Sequence, residues 1–334
     1  MKKTVCILLT GIIFASLLSG CGKKEVTEDE NYVVKISMTG GLCEAPLVAA
    51  VEKGYLDDAG IKYELNKIES AQIADTLSTK KADASLALIS KMAQPLENGL
   101  EAKLTEGLHT GCLKILVGAN SPITSAKELK GKKIGIPGMA SSNAVLTERV
   151  LAHEGIGVTN DNLQVEWQVF NSADLPLAIQ NGSVDAVTIS DPQASIAEKS
   201  GILKTIYNQA TDDLTKDEYC CGLFEGNDSI KENDSIKEHP QLAKKLSEAL
   251  FKGSQYVSDH KEEITKIQVD KKYCPGDAQT NAQIIQTYKY DPSIDGGKEA
   301  LRNNIKDLQE IGLIKKDTDI DALTENSFED VSKN

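Results

Sequence analysis

From Tyr32 onward, short β-branched runs alternate with stretches of helical period. Val34, Ile36 and Met38 alternate with polar neighbours as a half-buried strand does, and Gly40-Gly41 then interrupts the chain. Residues 46–55 carry apolar side chains at helical spacing before a stop at Gly60, and a second strand begins at Ile61. A helix over about 71–80 leads into a third strand over 83–89. The same order then returns. Residues 133–136 read as a strand, Pro137-Gly138 as a break, 142–153 as a helix, 164–170 as a strand, 173–180 as a helix and 184–189 as a strand.

The two passages keep register residue by residue. Ser70-Ala71, Ile73, Leu77 and Asp83-Ala84 match Ser172-Ala173, Leu175, Ile179 and Asp185-Ala186 at a constant offset. Such βα alternation, met twice, predicts an α/β fold of two lobes, each a mostly parallel sheet covered by helices. Open α/β sheets bind ligands beyond the carboxyl ends of their strands, so two facing lobes share a cleft as the expected site. The pattern puts the crossings between lobes near 118–125 and 208–218, making lobe 1 residues 32–120 plus 219–334 and lobe 2 residues 121–218. A strand over 219–224 should return to lobe 1, with the helices over 240–312 packed on it. Residues 227–232 read Asn-Asp-Ser-Ile-Lys-Glu and 233–238 repeat them letter for letter, which suits an exposed loop and helix entry without a functional role.

The amino-terminal residues stand apart from this pattern. Lys2 and Lys3 precede an apolar run over 5–18 that is too short to span a bilayer comfortably, as in an export signal. It ends in Leu18-Ser19-Gly20-Cys21, which resembles a bacterial lipobox. That resemblance implies a lipoprotein signal peptide over 1–20, lipidation of Cys21, and attachment to the membrane through that lipid. The polar stretch 21–31 is then a flexible tether.

At 334 residues the chain is long enough for two lobes, and 40% hydrophobic with 26% charged residues describes a soluble folded body. A net charge of -13 without a basic patch opposes a phosphate backbone, so no nucleic-acid partner is expected. The sequence contains no phosphate-binding loop ending in Lys-Ser or Lys-Thr, no His-Glu-x-x-His and no Gly-x-Ser-x-Gly. Neither catalysis nor a cofactor is called for.

Three segments then carry a family resemblance: Ala45-Pro46-Leu47-Val48-Ala49-Ala50 with Glu52-Lys53-Gly54-Tyr55-Leu56, then Leu129-Lys130-Gly131-Lys132-Lys133-Ile134-Gly135-Ile136-Pro137-Gly138, then Asp185-Ala186 followed by Asp191-Pro192. Their order resembles the substrate-binding proteins of the nitrate/sulfonate/taurine class of ABC importers. The resemblance implies a type II periplasmic-binding-protein fold, a hinge and a cleft that closes on a small, anionic solute. It also implies a monomer that delivers this solute to the transmembrane permease subunits of an importer with a cytoplasmic ATPase. In that family three loops touch the ligand, and the matching positions here are Gly40, Gly41, Leu42, Cys43 and Glu44, then Ser90 with its neighbours, then Met139, Ser141, Ser142 and Asn143. The residues of the last loop support this, because hydroxyls and free amides at a helix N-terminus make an anion site; an ordinary N-cap is the alternative. Ser190 and Asp191, at a strand end, read equally as ligand contacts or as turn residues. An ionised Glu44 would repel an anion, so it suits an amine such as that of an amino-sulfonate, or a cation.

Of seven cysteines, Cys6 and Cys21 belong to the leader and lipobox, which leaves Cys43, Cys112, Cys220, Cys221 and Cys274. The odd number leaves at least one unpaired. A disulfide from Cys112 to Cys220 or Cys221, a soft ligand set of His109, Cys112, Cys220 and Cys221 for a transition metal or thiophilic solute, and inert burial all remain open. His109 and Cys112 are candidates for the cleft wall as well. Cys274 reads as peripheral, and His153, His239 and His260 as surface residues. Pyrimidine-precursor synthases share the implied architecture and use a histidine with a cysteine-rich loop, which keeps an enzymatic alternative for His109 with Cys220-Cys221. Export and lipidation weigh against that chemistry, and a binding protein is the expectation.

Overall fold

The computed structural model describes residues 32–226 and 240–333, so the leader, Cys21, the tether, His239 and the tandem hexapeptide lie outside the described residues. Within them, β1 (Val33–Met38), β2 (Lys62–Lys67), β3 (Ala84–Leu88), β4 (Ala102–His109) and β10 (Cys221–Gly226) form one sheet in the order β2-β1-β3-β10-β4. The second sheet, in the order β7-β6-β8-β5-β9, contains β5 (Leu113–Gly118), β6 (Lys133–Ile136), β7 (Glu166–Val169), β8 (Ala186–Ser190) and β9 (Leu203–Asn208).

The two sheets are built alike. In each, a central strand pairs parallel with two neighbours, β1 with β2 and β3, and β6 with β7 and β8. An antiparallel strand then follows in each, β10 beside β3 and β5 beside β8. The repeated Asp-Ala pair has a structural reason. Asp83 accepts the Lys35 amide on its carboxylate at 2.8 Å, and Asp185 accepts the Lys133 amide at 2.8 Å. The next residue in each case, Ala84 or Ala186, starts the parallel ladder against Ile36 or Ile134. Each Asp thus ties the start of one parallel strand to the next.

The first crossing corrects the sequence-based boundary. Strand β5 belongs to the second sheet, so the chain passes over at 110–112 and not at 118–125. Residues 113–118 are apolar apart from Lys114 and suit a central strand of either sheet. They settle between β8 and β9, where both edges find antiparallel partners. Gly111 makes the abrupt turn possible, at φ +67°, and a Cβ there would lie 2.5 Å from the Ala210 Cβ of the return crossing. The two crossings run side by side: the Gln209 amide donates to Leu113 O at 3.0 Å and the Cys220 amide to His109 O at 2.9 Å.

The helix Ala45–Glu52 and the helix Pro240–Asp259 pack on the first sheet through Leu47, Ala50, Leu246 and Leu250, all buried with Val34 and Ile36. The helix Ile294–Glu310 covers the same lobe through Leu301 and Ile305, packed with Leu104 and Phe224. Its Asp307 reaches the other lobe. Arg149 and His153, on the helix Ser142–His153, each bond its carboxylate at 2.6 Å. No helix among the described residues is long and apolar enough to cross a membrane.

Candidate functional site

The loops after β1, β2, β6, β7 and β8 converge on a cavity of about 590 Å³ between the sheets. Thr39, Gly40 and Gly41 line it from the first lobe with Lys67, Glu69 and Ser70. Pro137, Asn143, Ser172, Ser190 and Asp191 line it from the second, and Lys272, Cys274 and Gly276 close one side. Leu175, Ile189 and Val269 add apolar surface. The lips of the two lobes touch. The Ser142 amide donates to Ser70 Oγ at 3.2 Å, and the Ser172 hydroxyl donates to Glu69 Oε2 at 3.2 Å.

Of the sequence-based candidates, Gly40, Gly41, Asn143, Ser190 and Asp191 line this cavity. The others serve it from behind or lie elsewhere. Glu44 is buried and accepts the Thr39 amide at 2.5 Å, the Gly40 amide at 2.7 Å and the Thr39 hydroxyl at 3.1 Å. Burial raises its pKa while these donors oppose the rise, so its carboxyl shapes the loop instead of meeting a solute. Leu42 is buried, and its amide holds Asp191 O at 3.2 Å across the cleft floor. Ser141 acts as the N-cap, its Oγ accepting the Ala144 amide at 3.2 Å. Ser142 is spent on the lip contact with Ser70, and Met139 is exposed on a separate crevice together with Lys91 and Glu148. Ser90 is buried beyond the cavity lining. The expected anion site at 139–143 therefore contributes only Asn143, because its other groups are taken by the cap and by the facing lobe.

Asp191 is buried with its carboxylate turned inward. Ser195 donates to Oδ1 through its amide at 3.1 Å and its hydroxyl at 2.7 Å, and Tyr288 donates to Oδ2 at 3.1 Å. Burial raises the Asp191 pKa against the pull of Lys114 and these donors. Behind it, the ring of His109 is fully buried, stacked on Tyr288 at 5.9 Å and tilted against Tyr290 at 5.2 Å. Burial lowers the His109 pKa, so the ring is neutral, with Nδ1 3.1 Å from Thr110 O. His109 lines no part of the cavity.

The cysteines converge at the hinge. Cys112 follows β4 in the first crossing and Cys220-Cys221 ends the second. The Cys112 sulfur lies 3.1 Å from that of Cys220 and 3.9 Å from that of Cys221, with 3.4 Å between the last two. Cys43 joins them, its sulfur within 4.8 Å of those of Cys112 and Cys221. All are free thiols, so of the three alternatives left open the structure shows no Cys112 disulfide: a bond needs about 2.05 Å between sulfurs, and these are at hydrogen-bonding range. Hydrogen bonds from Cys220, Cys221 and Cys43 pull the Cys112 pKa well below the usual thiol value. Cys274 is not peripheral; it is buried at the cleft wall.

Sequence reasoning missed Lys67, Glu69, Ser70, Ser172 and Lys272 as site residues. The repeated Ser-Ala pair was the available signal, since Ser70 and Ser172 are its two copies and both sit on the lips. Nothing local marks Lys67 or Lys272.

Two α/β lobes joined by paired crossings around such a cleft define a periplasmic-binding-protein fold. The chain belongs to the NMT1/THI5 like family, whose profile matches residues 44–264. A protein of Bacillus subtilis (strain 168) described as "Putative aliphatic sulfonates-binding protein" is 29% identical over 280 residues, covering 81% of this chain and 79% of that protein. The periplasmic aliphatic sulphonate binding protein SsuA from Escherichia coli superposes with a TM-score of 0.65 at 18% identity, over 89% of this chain and 92% of its own. The periplasmic nitrate-binding protein NrtA from Synechocystis PCC 6803 gives 0.71 at 16% identity, over 90% and 87%. At these identities the two structures show a shared fold.

Proposed function

We propose that this chain is the extracytoplasmic solute-binding component of an ABC importer and that it captures a small aliphatic sulfonate by lobe closure. The observation that carries this reading is the composition of the cleft. Lys67 and Lys272 are exposed to the cavity and form no ion pair among the described residues, while Asn143, Ser190 and Ser172 face them with polar groups. Two cations suit a sulfonate head, and Leu175, Ile189 and Val269 suit a short alkyl chain. The description of the Bacillus subtilis relative supports the same solute class. Capture without turnover fits the burial of His109 beneath Tyr288 and Tyr290, away from the cavity. Lobe closure is favoured only by contacts the closed form adds to the solute. In this reading a lipid on Cys21 holds the monomeric body at the outer face of the cytoplasmic membrane, where it hands the solute to the permease subunits.

A thermal-shift series with methanesulfonate, butanesulfonate, taurine and nitrate tests the reading. A ligand at a hundred times its dissociation constant stabilises by about 2.7 kcal/mol. The expected result is stabilisation by the alkanesulfonates; stabilisation by nitrate alone, or by none of the four, overturns it.

A further inference from the structure

We infer that Cys43, Cys112, Cys220 and Cys221 form a binding site for one thiophilic d10 metal cation, Zn²⁺ or Cu⁺, at the junction of the two interlobe crossings. Three chain segments far apart in sequence bring these sulfurs together: the loop after β1, the first crossing, and the end of the second. Four thiolates around zinc at about 2.3 Å in a tetrahedron lie about 3.8 Å from one another. The sulfur separations of 3.1, 3.4 and 3.9 Å bracket that value, and Cys43 stands within 4.8 Å of two of the others. Closing on one ion therefore asks Cys112, Cys220 and Cys221 for small shifts and draws Cys43 inward towards them.

The surroundings match soft coordination. The non-sulfur partner of the cluster is Gln209 Oε1, 3.6 Å from both Cys112 and Cys220. Two buried polar atoms beside the cluster have no hydrogen-bond partner among the described residues: the Tyr290 hydroxyl, which suits donation to thiolate sulfur, and His109 Nε2, which is an acceptor because the ring proton on Nδ1 faces Thr110 O. Cys43 is partly buried, whereas Cys112, Cys220 and Cys221 are buried. On binding, each coordinating thiol gives its proton to solvent and its sulfur lone pair to the metal, with no change of oxidation state. The bound ion ties the Gly40-Gly41 loop to both crossings, and so to the hinge. The site does not rest on the sulfonate reading, since Lys67 and Lys272 take no part in it.

The test uses the purified, fully reduced protein with Zn²⁺ and Cu⁺ presented through competing chelators, followed by dialysis and elemental analysis. One ion per chain is expected, with Cys112→Ser weakening binding on the order of 100-fold or more and Cys274→Ser leaving the stoichiometry unchanged. X-ray absorption at the metal edge of the loaded wild-type protein gives a readout that needs no variant: a shell of sulfur at about 2.3 Å for zinc is expected. Absence of binding, a shell dominated by oxygen and nitrogen, or full retention of the ion by Cys112→Ser overturns the site. Sulfonate binding is measured separately on metal-free protein, so either reading can fail alone.

Discussion

The amide of Ser142 donates to the hydroxyl of Ser70, 3.2 Å away and on the opposite lobe. A helix N-terminus that by sequence looks open to an anion is thereby satisfied by the facing lip, and the contact exists only while the lobes are together. Replacing Ser70 by Ala removes it at a cost of about 1 kcal/mol to the closed form. Solute affinity should fall about fivefold, with a larger radius of gyration by small-angle scattering. Unchanged affinity and an unchanged radius would show that the lip contact does not bias closure.

The cleft lysines act as a pair of point charges near solvent. Lys67→Gln and Lys272→Gln should each weaken sulfonate binding by about tenfold, or about 1.4 kcal/mol. Wild-type affinity should also fall with added salt, and the double variant should lose most of that dependence. Isothermal titration at two ionic strengths measures both effects.

The crevice beside the lips carries two opposed titrations. Burial pushes Glu148 up to about 7, so the folded state binds its proton more tightly than the unfolded chain does. Its contribution is present in full below pH 4.5 and is lost as pH rises through about 7, a change of about 3 kcal/mol. Burial pushes Lys91 down to about 7, and its contribution is therefore regained from about pH 7 towards 10.5. Urea denaturation across this range should show stability falling and then rising. Glu148→Gln should flatten the first limb and Lys91→Met the second.

Gly111 is where the chain changes lobes, and it combines a left-handed φ of +67° with a built Cβ position 2.5 Å from Ala210 Cβ. Gly111→Ala should destabilise by about 3 kcal/mol through strain and overpacking. Gly131→Ala is the matched control, at φ +75° with open space around it, and should cost only the backbone part, about 1–2 kcal/mol. Equal losses in thermal melts would argue against the close approach at the hinge.

Local signals determined most of the architecture. Alternation at Val34, Ile36 and Met38, the stops at Gly40 and Gly60, and the twice-used Asp-Ala start of a strand are short-range features, and each reappears as a strand, a break or an amide-to-carboxylate tie. The two-lobed α/β fold follows from repeating them. Tertiary structure decided what these signals do not encode. Strand β5 could join either sheet until β8 and β9 offered it two edges. Ser141 and Ser142 look like an anion site until the cap and Ser70 claim them. Lys67 and Lys272 become neighbours of one cavity, and Cys43, Cys112, Cys220 and Cys221 one cluster, only because segments up to about two hundred residues apart are packed together. A pattern along the chain records which face of an element is buried, and the meeting of distant loops is fixed only by how the two sheets are connected and set against each other.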